Sequence, residues 1–287
     1  SFAYPYGVWL AVFILAPILM VVVYAFHNAD GGFTLHNFSY LPGYLPIFGR
    51  SFWLAFLSTV VCLVLGYPMA YLMSRLSASK QSLCMMLIML PMWINFLLRT
   101  YAWMSILENN GLLNQLFQQI GLIDLYNQIA MHFASDPAAY VPIDHFQMIG
   151  TQGAVVLGMV YNYLPFMILP IYSVLVKLDH SLIEAARDLG ASSVQVFRKV
   201  ILPLSLPGVL SGITMVFVPS VSTFAISRLL GGGKSLLLGD LIEMQFMGTT
   251  YNPWLGSAIA LVMMVIVLVC MAIMNRFGEG EEGVSFL

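Results

Sequence analysis

Six apolar stretches, each long enough to cross a bilayer as a helix, fix what this chain can become. They fall at about residues 6–27, 51–75, 83–107, 153–177, 204–228 and 255–275. About 20 apolar residues traverse the hydrocarbon core as an α-helix, and in lipid every backbone polar group must be satisfied within the protein. Only 8% of the residues are charged and 60% are hydrophobic, whereas soluble domains carry about 25% charged residues. A water-soluble fold would lack the polar side chains to cover its surface. The chain therefore reads as an all-α polytopic membrane protein, a single transmembrane domain over residues 1–287. The first run lacks a basic leader and is longer than the apolar core of a signal peptide, so it too reads as a span.

Charge orients the bundle. With six spans both termini share a side, and that side carries Arg75, Lys80, Lys177, Arg187, Arg198, Lys199 and Arg276; Arg50, Arg228 and Lys234 lie opposite. The excess of Lys and Arg marks the first side as cytoplasmic. The outer loops, 28–50, 108–152 and 229–254, also hold Asp30, Glu108, Asp124, Asp136, Asp144, Asp240 and Glu243. Such a mouth favours cations within about 10 Å, and ordinary solvated loops explain the same charges equally well. Within 108–152, Leu112, Leu113, Leu116, Phe117 and Ile120 recur at helical spacing and predict a short amphipathic helix along the membrane surface.

Several functions are excluded. No basic stripe exists to neutralise nucleic-acid phosphates. Cys62, Cys84 and Cys270 sit inside apolar runs without C-x-x-C spacing, so they read as buried hydrophobes. The five histidines show no i, i+4 metal spacing, and no paired catalytic set appears. The run GGGKS at 231–235 has Arg228 where a phosphate-binding loop needs glycine, so a glycine-rich turn is expected there.

The segment SLIEAARDLGASSVQVFRKVILPL, within the loop 178–203 and the start of the fifth run, is a polar island. Five charges fall from Glu184 to Lys199 in an otherwise oily chain. Ser181 and Glu184 have capping-box spacing, as do Ser192 and Gln195, and Gly190 lies where a left-handed residue would close the first helix. The prediction is a helix, a glycine corner and a second helix that runs into the fifth span. Leu182, Ala185, Ala186 and Leu189 share one face. Spacing alone leaves two readings open: a helix resting on the membrane, or a rigid knob gripped by a cytoplasmic protein.

The residues Glu184-Ala185-Ala186, Gly190, Val200 and Leu202-Pro203 fit the cytoplasmic EAA signature of ABC importer permeases, with Val200 where isoleucine is usual. The segments LGYPMAYLMSRL, LPMWINFLLRTYAWMSILENNGLLN, YNYLPFMILPIYSVLVKLD and LLGGGKSLLLGDLIEMQF resemble the permease of polyamine (spermidine/putrescine) importers, from about residue 65 to 254. The resemblance implies the type I ABC importer permease fold. It makes the island a coupling helix, with Glu184, Ala185, Ala186, Arg187, Asp188 and Gly190 seated on an ATPase subunit. It further implies a second homologous permease, two copies of the ATPase, an extracytoplasmic polyamine-binding protein, and no cofactor in this chain, ATP and Mg being bound by the ATPase. Related importers carry phosphonate, sulfate, iron or sugars, and a stand-alone channel or secondary transporter is the other alternative.

A path for a polyamine needs hydrogen-bond acceptors and aromatic faces, since a cation over a ring gains about 0.5–2 kcal/mol. Candidates are Trp93, Tyr101 and Tyr161, the polar residues Ser220 and Ser222 near Pro219, and Asp240 and Glu243 in the last outer loop. Interfacial aromatic belts explain the aromatics as well, and a surface salt bridge explains the acids as well. Arg99 opposes a cation path at its own position unless a carboxylate such as Glu108 neutralises it.

Overall fold

The structure is a computed structural model that describes residues 3–133, 141–233, 236–248 and 250–278. Asp136, Lys234, Ser235 and the acidic C-terminal stretch lie outside the described residues. All regular elements described are helices, apart from an isolated bridge between His27 and Phe33. Helix α1 comprises Ala3–Leu10, a π-type turn Ala11–Leu15 and Ala16–Ala25; α2 is Leu41–Ser74, α3 Ala78–Trp93, α4 Phe96–Leu107, α5 Leu112–Gln119 and α6 Leu122–Phe133. Helix α7 is Gln152–Leu175 and α8 is His180–Asp188. Helix α9 comprises Ser193–Val196, a second π-type turn Phe197–Ile201 and Leu202–Val221; α10 is Ala225–Leu230, α11 Leu238–Met247 and α12 Pro253–Gly278.

Helices α1, α2, α7, α9 and α12 are each long and apolar enough to cross a membrane. Helix α3 and the stretch Phe96–Gln119, α4 with α5, pass the same test jointly but are bent by 91° at the break after Trp93. The third apolar run, 83–107, is therefore not one straight rod. Asn95 explains the bend: its Oδ1 accepts from the N–H of Leu97 at 2.9 Å and of Leu98 at 3.4 Å, starting a new helix inside an apolar run. Helix α2 begins about ten residues before the expected 51, within what was read as outer loop. The fifth run, 204–228, is also divided, because α9 stops at Val221 and α10 begins at Ala225.

Helices α2, α7 and α9 form the centre of the molecule. Met167, Ile168, Ile171, Cys62, Ala70 and Val216 are buried among them. Gly208 and Gly212 make the α7–α9 contact close: a Cβ on Gly208 would stand 2.8 Å from the Pro170 carbonyl oxygen, and one on Gly212 2.8 Å from the Met167 sulfur. Helix α12 joins α1 to this centre and packs on α11.

Both π-type turns have one cause. Each ends two residues before a proline, Pro17 or Pro203. A proline ring in a regular helix clashes with the carbonyl four residues earlier, here Phe13 or Lys199. Widening the turn moves that carbonyl aside, so the Leu202 N–H bonds to Phe197 and the helix continues.

Helices α5 and α6 form a helical hairpin, so the expected single surface helix is two. The returning strand of chain is pinned to it by side-chain amides. Asn114 bonds both backbone groups of Phe146, Asn127 both of Ile143, and Gln118 the Asp144 carbonyl.

Candidate functional site

The elbow between α7 and α9 is built from three local devices. Asp179 caps α8, its Oδ1 accepting from the Ser181 N–H at 2.9 Å. This corrects the expected cap at Ser181, which lies inside the first turn: Asp179 holds extended backbone two residues earlier, and a carboxylate there also favours the helix N-terminus. At the other end Gly190 has φ +81°. Its N–H bonds the Arg187 carbonyl at 2.8 Å and the Ala191 N–H bonds the Ala186 carbonyl at 3.1 Å, a complete Schellman closure. Ser192 and Gln195 then make the reciprocal box, at 2.7 and 3.4 Å, that starts α9.

The face that α8 turns inward is Ile183 and Ala186, which pack on the central cluster. Leu182 and Leu189 are left outward, 47% and 89% exposed, beside exposed Glu184, Ala185, Arg187 and Asp188. The apolar face read from the sequence is thus divided. One side seats α8 on its own chain and the other is unpartnered within it.

A second constellation surrounds the joint at 222–224. Ser220 is fully buried and donates to the Val216 carbonyl at 2.7 Å, and exposed Ser222 donates to the Val218 and Pro219 carbonyls at 3.4 Å. Tyr163 donates to the Pro219 carbonyl. Helix α11 abuts the joint so closely that a Cβ on Gly239 would stand 2.4 Å from the Thr223 carbonyl oxygen and 2.5 Å from that of Ser222.

The acids of the last outer loop are engaged within the chain. Asp240 is 2% exposed, and its Oδ2 accepts from the Ser227 hydroxyl at 2.6 Å and the Leu237 N–H at 3.0 Å. Its Oδ1 is buried without a partner, and burial pushes the carboxyl above its ordinary range against the opposing pull of those bonds. Glu243 pairs bidentately with Arg228. Glu243 thus sits in the surface salt bridge that was one of the two readings of the sequence, while Asp240 is buried. The Ser227 hydroxyl and the Leu237 N–H take up Asp240, and the Arg228 guanidinium takes up Glu243.

The aromatic candidates separate. Trp93 is 78% and Tyr101 50% exposed, on α3 and α4. Tyr161 is half-buried against Trp103, ring centroids 5.3 Å apart, and faces the Arg99 guanidinium at 5.9 Å. Arg99 keeps Nε and Nη1 buried without hydrogen bonds, and no ion pair joins it to Glu108 among the described residues. The partners of Tyr161 and Asp240 were not foreseeable from spacing. Asn95 was, as a capping residue four positions after Pro91.

Residues 6–280 match the family described as binding-protein-dependent transport system inner membrane component. The chain belongs to this family. It is thus a transport component and a multi-pass bacterial inner-membrane protein. It is 36% identical over 266 residues to the spermidine/putrescine transport system permease protein PotB of Escherichia coli (strain K12), covering 90% of each chain. The inner membrane ABC transporter permease protein YdcU of the same strain is 30% identical over 239 residues, 83% of this chain and 73% of that protein. A chain from the crystal structure of a bacterial ABC transporter involved in the import of the acidic polysaccharide alginate superposes with a TM-score of 0.75 at 15% identity, over 95% of this chain and 92% of that one. One from inward-facing MetNI methionine ABC transporter gives 0.56 at 18% identity, over 81% and 93%. The permease therefore has the fold of ABC importer membrane subunits, as the elbow signature implied.

Proposed function

We propose that this permease forms half of the translocation path of an ATP-driven importer for polyamines, spermidine and putrescine being the solute class. The observation that carries the solute assignment is the 36% identity to PotB over 90% of both chains. In this reading the elbow and both termini face the cytoplasm, as the Lys and Arg distribution favours. Glu184, Ala185, Ala186, Arg187, Asp188 and Gly190 form the seat of an ATPase subunit. The outward Leu182 and Leu189, unpartnered within the chain, support that seat. One homologous permease completes the path, two ATPase copies bind ATP and Mg, and an external binding protein delivers the solute. ATP-driven closure moves the elbows and tilts the spans between outward and inward access.

Along the path, Tyr161 and Trp103 offer ring faces, and the joint at 222–224 offers the Ser222 hydroxyl and backbone oxygens. Trp93 and Tyr101, exposed on this chain, contribute where the second permease encloses them. Ser220, Asp240 and Glu243 shape the joint and hold α10 and α11 rather than touch solute.

The test is uptake of labelled putrescine and spermidine into proteoliposomes holding this chain, its partner permease, ATPase and binding protein. ATP-dependent accumulation of either supports the proposal. Accumulation of only a sulfate, sugar, iron or phosphonate solute overturns the polyamine assignment, and uptake without the ATPase overturns the importer reading.

A further inference from the structure

We propose that Phe197 is a transmission residue: it links the elbow to α2, so that a displacement of α8 moves α2 together with α9. The proposal rests on the coupling role assigned to the elbow. Helix α8 packs on the first turns of α9, Ser193–Val196 and Phe197–Ile201. Between α8 and α2 lies a cleft of about 40 Å³, bordered by Tyr71, Arg75, Leu178 and Ile183. Phe197, in the turn on which α8 packs, reaches α2 directly. Its ring meets Tyr67 edge-on at 5.8 Å and 89°, and Tyr71 at 5.7 Å and 82°. Edge-to-face pairs at these separations hold a preferred geometry rather than sliding freely.

The surroundings stiffen this seat. The Ser205 hydroxyl donates to the Leu202 carbonyl at 2.9 Å, so its oxygen is left to accept the Tyr67 hydroxyl at 2.8 Å. The Arg75 guanidinium covers the Tyr71 ring at 4.5 Å. Val196, just before the π-type turn, and Ile201, its last residue, are each 2% exposed. The widened turn before Pro203 resets the angular position of every later residue on α9, so Phe197 sits at the junction between elbow and span.

A merely structural role would lower stability and amount alone. A transmission role separates ATP hydrolysis from transport. In the reconstituted importer, Phe197→Ala should assemble with the ATPase and keep basal hydrolysis. Stimulation of hydrolysis by loaded binding protein, and uptake per ATP, should fall about tenfold or more, and Phe197→Tyr should restore both. Tyr71→Leu, which leaves the elbow intact, should reproduce the defect, and the double variant should be no worse than either single one, since both break one linkage. Wild-type stimulation and uptake per ATP in Phe197→Ala overturn the proposal while leaving the ATPase seat in place. If Phe197→Ala does not assemble, Tyr71→Leu decides: an uncoupled complex supports the linkage and a normal one overturns it. Normal assembly of Glu184→Lys would instead strike the coupling reading itself, and the linkage would fall with it.

Discussion

The two ends of α9 meet the same chemical problem and answer it differently. At the elbow end, Pro203 follows a turn widened to π geometry and the helix runs on unbroken. At the other end, Pro219 is followed within three residues by the end of the helix, and the chain turns through 222–224 into α10. The elbow end is fastened by two helix caps, a Schellman closure and the aromatic seat of Phe197. The other end is less fully paired: Asp240 Oδ1 lacks a partner, and α11 presses on the Ser222 and Thr223 carbonyls. A membrane helix can thus run on as a rod at one end and break into a joint at the other, with proline present in both places.

That comparison can be broken most sharply at the elbow. Gly190→Pro forces φ from +81° to about −65° and removes the N–H that bonds Arg187, and Glu184→Lys reverses charge on the outward face. Either should abolish co-purification of the ATPase while membrane insertion persists. The matching insult at the joint is Gly239→Ala. Its Cβ cannot coexist with two carbonyl oxygens at 2.4 and 2.5 Å, so overpacking should cost about 1–3 kcal/mol. The expected readout is a lower melting temperature in detergent with ATPase association intact. Gly190→Ala has open space around its Cβ and suffers only the conformational penalty of about 1–2 kcal/mol.

Smaller effects sharpen the contrast. Tyr67→Phe removes one hydrogen bond at the rod end and should cost about 1 kcal/mol by the same melt. Asp240→Asn tests the joint through pH. The Asp240 pKa is raised in the folded state, so the folded form holds its proton more tightly than the unfolded one. The stability this gives is complete below the ordinary value of 3.8 and is lost as pH rises through the raised value. Asparagine, always neutral, should flatten that dependence. The variant should gain on wild type as pH rises from 4 to 8, and parallel melting curves for the two would contradict the burial argument.

Much of this was legible in the sequence, and the rest was hidden for identifiable reasons. The elbow shows through Gly190 and the Ser192–Gln195 box because capping is local chemistry. The cap was placed two residues late because Ser181 and Glu184 also satisfy a box pattern, and only backbone geometry gives the role to Asp179. Apolar windows cannot register the 91° bend, since Asn95 barely changes the hydropathy of the run that contains it. The Tyr67–Ser205 and Arg228–Glu243 partnerships join residues 138 and 15 apart in the chain, and no periodicity encodes such pairs. The same limit hides the partners of Asp240, the Ser227 hydroxyl and the Leu237 N–H.

A coupling role for the elbow requires that the outward face of α8 be covered in the working importer. Leu189, 89% exposed on the isolated chain, is the place to ask. With Cys84 and Cys270 changed to serine, Leu189→Cys should react rapidly with a maleimide in the permease alone and be protected at least tenfold once the ATPase subunits are bound. Equal labelling rates with and without the ATPase, in complexes that still transport, would contradict it.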